Sequence, residues 1–123
     1  MFMVHPSIFD YALCNQTVTV YHEDGGSVTR TVYKRAFLDF KKTQNVEKTG
    51  LSEASGFLLV IPGATQACQV SDKVFLGIGP EVSEDVLKWW RAFIPAKVDG
   101  LVVVRYVDTK YWNGQMIHTE AGG

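Results

Sequence analysis

The residue types that most often carry chemistry are sparse in this chain. Its three histidines, His5, His22 and His118, fall on a terminal segment, the edge of a turn and a strand. None stands at the HxH or i, i+4 spacing that brings two imidazoles to one ion, and no zinc-type run of Cys and His is present. No metal or cofactor site is therefore expected. Cys14 and Cys68 lie in no activating context and there is no GxSxG, so Cys68, between Ala67 and Gln69, reads as a small packed residue. His118 and Glu120 share one strand face at period two and can be neighbours. A small hydrolase built on them lacks a recognisable nucleophile and oxyanion donor, so no catalytic residue is assigned and the chain is read as non-enzymatic. Glu81, Glu84 and Asp85 gather at a helix start, where the helix dipole accounts for them. "GIGPEV", Gly77 to Val82, lacks both the GxGxxG and the GxxxxGK pattern and reads as a turn.

Two features point to partners instead. Trp89 lies about 100° round a helix from the apolar stripe, and Trp112 stands beside an Asn-Gly turn; each is suited either to a protein interface or to covering the domain's own sheet. Arg30, Lys34, Arg35, Lys41, Lys42 and Lys48 make up half of the 12 Lys and Arg. That patch offers a surface to nucleic acid or an acidic protein, although a solvated strand edge guarded by lysines is the favoured reading.

The elements that must position these residues fit one domain, 1–123. At 123 residues and 46% hydrophobic the chain can bury a core without disulfides or metal. A formal charge of −1 gives no footprint for duplex DNA or an anionic membrane. His5, Pro6 and Asp10 break any signal-peptide core, no run reaches the roughly 18 apolar residues of a membrane span, and two cysteines suggest no disulfide framework. A soluble protein made in a reducing cytoplasm is expected.

Residues 1–15 form an N-terminal arm, with a short helix over His5–Leu13 capped by Ser7. "TVTVY", Thr17–Tyr21, and Ser27–Tyr33 alternate as strands around Asp24-Gly25-Gly26, a hairpin turn. Ala36–Phe40 reads as a third strand. Lys41–Ser55 is a long polar connection, and 64–71 a second loop. Gly56–Gly63, continuously apolar, reads as a strand buried on both faces, and Asp72–Gly77 as another strand. Glu84–Phe93 is the one clear helix, capped by Ser83, with Val86, Trp90, Phe93 and Ile94 on one stripe. Leu101–Val107 and Met116–Ala121 are the last strands, joined by a loop over Asp108–Gly114. The expected fold is mainly β: a small antiparallel barrel or sandwich of six to seven strands, with one helix in the C-terminal half and a short N-terminal helix.

In order, "TVTVY", "VTRTVYKRAFLDFKKTQNVEKTGLSEASGFLLVIP", "SDKVFLGIG" and "VVVRYVDTKYWNGQMIHTE" resemble a family of small structural proteins of tailed phages and prophages. These belong to the head–tail connector, or neck, region and are also described as minor capsid proteins. The resemblance runs from Thr17 to Glu120. Ser71 stands where relatives tend to show Gly in a Gly-Asp-x-hydrophobic-x-x-Gly pattern. The resemblance implies a virion protein assembled in the host cytoplasm as a homo-oligomeric ring between portal or adaptor and tail components. DNA would pass through its lumen without sequence-specific binding. A β-rich subunit with a long loop is closest to the head-closure, or stopper, type. Lys41, Lys42, Gln44, Asn45, Glu47, Lys48, Trp89, Trp112, His118 and Glu120 are the expected interface residues. The alternatives are an OB-like nucleic-acid-binding barrel, drawing on the basic patch with Tyr33, Phe37 and Phe40, or a capsid- or tail-associated minor virion protein.

Overall fold

The computed structural model describes residues 11–41 and 56–123. Of the expected interface set, Lys42, Gln44, Asn45, Glu47 and Lys48 lie outside these residues, as does most of the N-terminal helix; its described end, Tyr11–Cys14, is a single turn closed by Cys14 N donating to Tyr11 O.

Strand β1, Gln16–Asp24, turns back into β2, Ser27–Lys41, through Gly25 and Gly26. Both glycines have positive φ, 59° and 93°, which is what a two-residue hairpin of this hand demands. β2 then departs from expectation. The two strands foreseen over Ser27–Tyr33 and Ala36–Phe40 are one strand of 15 residues. Its first part pairs with β1 as far as Gln16↔Ala36, and its second part, from Phe37↔Val60 to Lys41↔Gly56, pairs with β3, Gly56–Pro62. The register shifts by one residue between Val18↔Tyr33 and Gln16↔Ala36, so the exposed Lys34-Arg35 step is a bulge through which the strand continues.

The remaining elements are β4 (Lys73–Leu76), α1 (Val86–Ala92), β5 (Leu101–Val103), β6 (Tyr106–Trp112) and β7 (Gln115–Gly122). All pairings are antiparallel, in the order β5-β4-β1-β2-β3-β7-β6. The seven strands make a curled half-barrel sheet with one short helix. Its edge strands are successive in the chain: Val104 N donates to Asp72 O on one side of the step, and Arg105 N to Gly122 O on the other. The expected loop over Asp108–Gly114 is therefore strand as far as Trp112. Only Asn113 and Gly114 turn, both at positive φ, 55° and 77°.

Alternation places Val18 and Val20 of β1, Ala36 and Leu38 of β2, Leu59 and Ile61 of β3, Val74 and Ala121 in the concave core. β3 alternates rather than being buried on both faces: Phe57, Leu59 and Ile61 are buried, and Leu58, Val60 and Pro62 half-buried. It is β1 that is covered twice, since Thr19 and Tyr21 on its other face are fully buried as well. There α1 packs, with Tyr21 and Phe93 edge-on at 4.8 Å and Trp89 stacked on Phe93 at 4.4 Å.

The helix begins at Val86, two residues later than expected, and has no side-chain cap: Ser83 precedes it and Asp85 caps it through the backbone alone. Seven residues are too few for autonomous helicity, so packing and its far end hold it. Lys73 Nζ donates to Trp90 O at 2.6 Å and lies 4.0 Å over the Trp90 ring, a cation placed at the negative end of the helix. Burial lowers the Lys73 pKa.

Candidate functional site

β1 continues its inward row from Val18 and Val20 to His22, so His22 stands at the open end of the core. Facing it is Asp72, the residue before β4, whose side chain is buried beneath the 64–71 loop. His22 Nδ1 lies 2.6 Å from Asp72 Oδ1, and Asp72 Oδ2 accepts from Gln69 N at 2.8 Å. Both carboxylate oxygens are thus satisfied, which is what allows the carboxylate to be buried. The hydrogen bond to Asp72, helped by its charge, raises the His22 pKa against a smaller opposing effect of burial. The ring nitrogen Nε2 has no partner among the described residues.

A cleft of about 160 Å³ here is lined by Val20, Ala67 and Cys68 together with the polar side chains of His22, Thr29, Thr31, Gln66, Gln69 and Asp72. Cys68 is not a nucleophile in this setting. Burial, and then the charge of Asp72, pushes its thiol up to about 12, so it remains protonated at neutral pH. Among the described residues no three His, Cys, Asp or Glu side chains gather to hold a metal ion. A wider depression of about 1030 Å³ lies beside β5, lined by Phe40, Gly56, Phe57, Leu101 and Arg105 among others.

His118 and Glu120 do share an outward face of β7, while Thr119 and Ala121 point inward. His118 Nε2 and Glu120 Oε2 are 3.3 Å apart. The imidazole is also engaged from the other side: Tyr11 OH lies 2.7 Å from Nδ1, with the two rings edge-to-face at 5.5 Å. With the hydrogen on Nε2, the ring accepts from Tyr11 OH and donates to Glu120. His118 thereby fastens the start of the described chain to β7. Beside it on β6, Lys110 pairs with Asp108 at 2.8 Å.

Trp89 lies within the cluster beneath the helix, 5.4 Å from Tyr21 as well as stacked on Phe93. Trp112 is at the opposite end of the sheet, 44% exposed, on edge strand β6 with Tyr106 at 49% and Tyr111 at 62%. The basic patch is divided: Lys34 and Arg35 are exposed, whereas Arg30 turns back to hold the Gly77–Glu81 turn. Its Nη2 donates to Gly79 O at 2.6 Å and its Nε to Pro80 O at 3.1 Å. Tyr33 packs on the core and donates to Ala67 O at 3.4 Å.

Sequence reasoning missed the His22–Asp72 pair, because its members are 50 positions apart and only folding makes them adjacent. It also missed the strap formed by Thr19, Tyr21 and Arg30 over the Gly77–Glu81 turn, although two buried-type polar residues in the β-branched run were a hint. No protein-family model, curated protein or solved structure significantly matches the chain.

Proposed function

We infer that the chain is a non-enzymatic structural subunit that associates with copies of itself into a ring, of the kind found at the head–tail connector of a tailed phage or prophage. The observation that carries this reading is edge strand β6, seven residues whose outer side has no neighbouring strand among the described residues and which bears three exposed aromatics. Asp108, Lys110 and the register shift at Lys110/Tyr111 blunt the middle of this edge, whereas the exposed aromatic area toward its two ends is what an interface uses. The edge strands β5 and β6 follow one another in the chain, which favours reading the curled sheet as a small barrel rather than a sandwich. Ser71 adds a local point in favour of the resemblance. Its φ is 79°, a left-handed conformation that the Gly of the phage pattern would adopt without strain.

In this reading the subunit is of the head-closure type, sits between portal or adaptor and tail components in the virion, and surrounds a lumen for DNA. A head-to-tail contact that closes on itself generates such a ring. The OB-like alternative draws less support, since Arg30 and Tyr33 are both spent on contacts within the chain. A hydrolase draws less again, with the Cys68 thiol held protonated and His118 occupied on both ring nitrogens.

Light scattering across a concentration series, with negative-stain imaging of the largest species, tests the proposal. Annular particles that disappear in Trp112→Lys are the expected result. A monomer at every concentration, or a steeply salt-dependent affinity for single-stranded DNA, would replace the ring with another function.

A further inference from the structure

Strand β6 reads YVDTKYW and is nearly symmetric about its central residue, Thr109. Opposite charges, Asp108 and Lys110, flank the threonine, and an aromatic residue, Tyr106 or Trp112, closes each end. The two charges share the outward face and pair at 2.8 Å within the chain. Beside them the register shift takes its extra residue, Ile117, from β7, so β6 keeps its own alternation through it. Among the described residues no strand lies beyond β6, and its outer main-chain groups form a row that a further strand can meet.

Such a segment is complementary to itself run antiparallel. When a two-fold axis passes through Thr109, Asp108 of each copy lies opposite Lys110 of the other, Tyr106 opposite Trp112, Val107 opposite Tyr111, and Thr109 opposite its own counterpart. Opposite-charge, aromatic, aromatic–β-branched and Thr–Thr pairs are the cross-strand pairs that stabilise a sheet. The four charges then form a square of alternating sign. Other registers lose this match: a slide of two residues in either direction brings Asp108 against Asp108 or Lys110 against Lys110. A slide of one sets the inward row, where Val107 packs on the core, in line with the outward row of the other copy. The charges that turn away an arbitrary strand thus admit a second copy in one register.

We propose that β6 pairs with β6 of a second copy in this register, so that two half-barrels share one continuous sheet. This goes beyond the ring reading and does not rest on it. A contact about a two-fold axis closes at two copies, so the pair is the smallest assembled species of the chain, and a ring built on the same edge would have to displace it.

The test joins charge reversal to crosslinking, with association followed by analytical ultracentrifugation below the concentrations that give larger species. Asp108→Lys and Lys110→Asp each set like charges opposite one another at two places in the pair. Each alone is expected to dimerise roughly tenfold more weakly than the parent chain. Mixed one to one, the two variants regain opposite charges at both places and are expected to form a mixed pair, and the double variant Asp108→Lys with Lys110→Asp is expected to dimerise like the parent. Thr109→Cys is expected to form an interchain disulfide on mild oxidation and Tyr111→Cys is not, the native Cys14 and Cys68 being buried. Single reversals that associate like the parent, or a Thr109→Cys chain that stays uncrosslinked, overturn the β6 pair, and annular particles formed by that same chain leave the ring reading standing. A parent chain that is monomeric at every concentration overturns both.

Discussion

At the scale of single residues, the sequence concealed partnerships more than identities. In sequence His22 reads as an imidazole at the edge of a turn and His118 as one on a strand, with no sign of a partner for His22, yet one is tied to a buried carboxylate and the other to a tyrosine and a glutamate. The His22 pair has a pH signature. Its pKa is raised in the fold by Asp72, so protons bind more tightly to the folded chain than to the unfolded one. The stabilisation is complete below the unfolded value of about 6.5 and is lost as pH rises through the higher folded value. Urea midpoints between pH 6 and 8.5 are expected to fall with pH more steeply for the parent chain than for His22→Asn. Equal slopes would mean that Asp72 does not hold the imidazolium. The His118–Glu120 spacing was legible from period-two alternation alone, whereas Tyr11, 107 residues away on a turn, carried no signal that it would join them.

Among the elements, strands and tight turns were the easiest to read, since Gly25-Gly26 and Asn113-Gly114 announce positive φ and the β-branched runs announce strands. The errors came where a rule of local sequence met a tertiary constraint. Lys34-Arg35 resembled a break but sits within β2, and the Ser83-Glu84-Asp85 start signal stands outside a helix that is held at its other end by Lys73. "GIGPEV" was read as a turn, but not as one fastened by three side chains. Thr19 is central to that fastening: its hydroxyl donates to Gly77 O at 2.7 Å and accepts from Gly79 N at 2.8 Å, while Tyr21 OH donates to Pro80 O at 2.6 Å. Gly79 is required there because any side chain would collide with the Tyr21 hydroxyl. Thr19→Val keeps the shape and strands the buried Gly79 N–H, so it is expected to destabilise the fold by about 1–3 kcal/mol. Chemical denaturation measures this, and a change within experimental scatter would show that the turn is held by packing alone.

For the molecule as a whole, the mainly β class was legible, the count of seven strands agrees only because the merger over Ser27–Lys41 offsets the splitting of the expected Leu101–Val107 strand into β5 and β6, and the strand order was not legible. Hairpins can be read along the chain, but the pairing of β1 with β4 and of β3 with β7 joins segments far apart, and no local pattern encodes it. The organising element is β2, which belongs to both halves of the sheet and changes partner at Ala36, a fully buried residue. Ala36→Leu places three extra carbons at that crossing and is expected to lose about 1–3 kcal/mol. Because both halves share β2, tryptophan fluorescence and far-ultraviolet dichroism should move to the same lower midpoint. Two separated transitions would show that the halves melt independently.

The position of β7 between β3 and β6 has a consequence for biosynthesis. β1 and β2 can pair as soon as they leave the ribosome, and β4 and β5 can add to them in turn. β3, however, is made early and waits for a neighbour, β7, that is translated after the other six strands. Until Gln115–Gly122 emerges, the nascent chain carries an open backbone edge beside Phe57, Leu59 and Ile61. During that interval on a polysome, neighbouring nascent copies can pair wrongly along β3, so the yield of native protein depends on how quickly β7 is delivered.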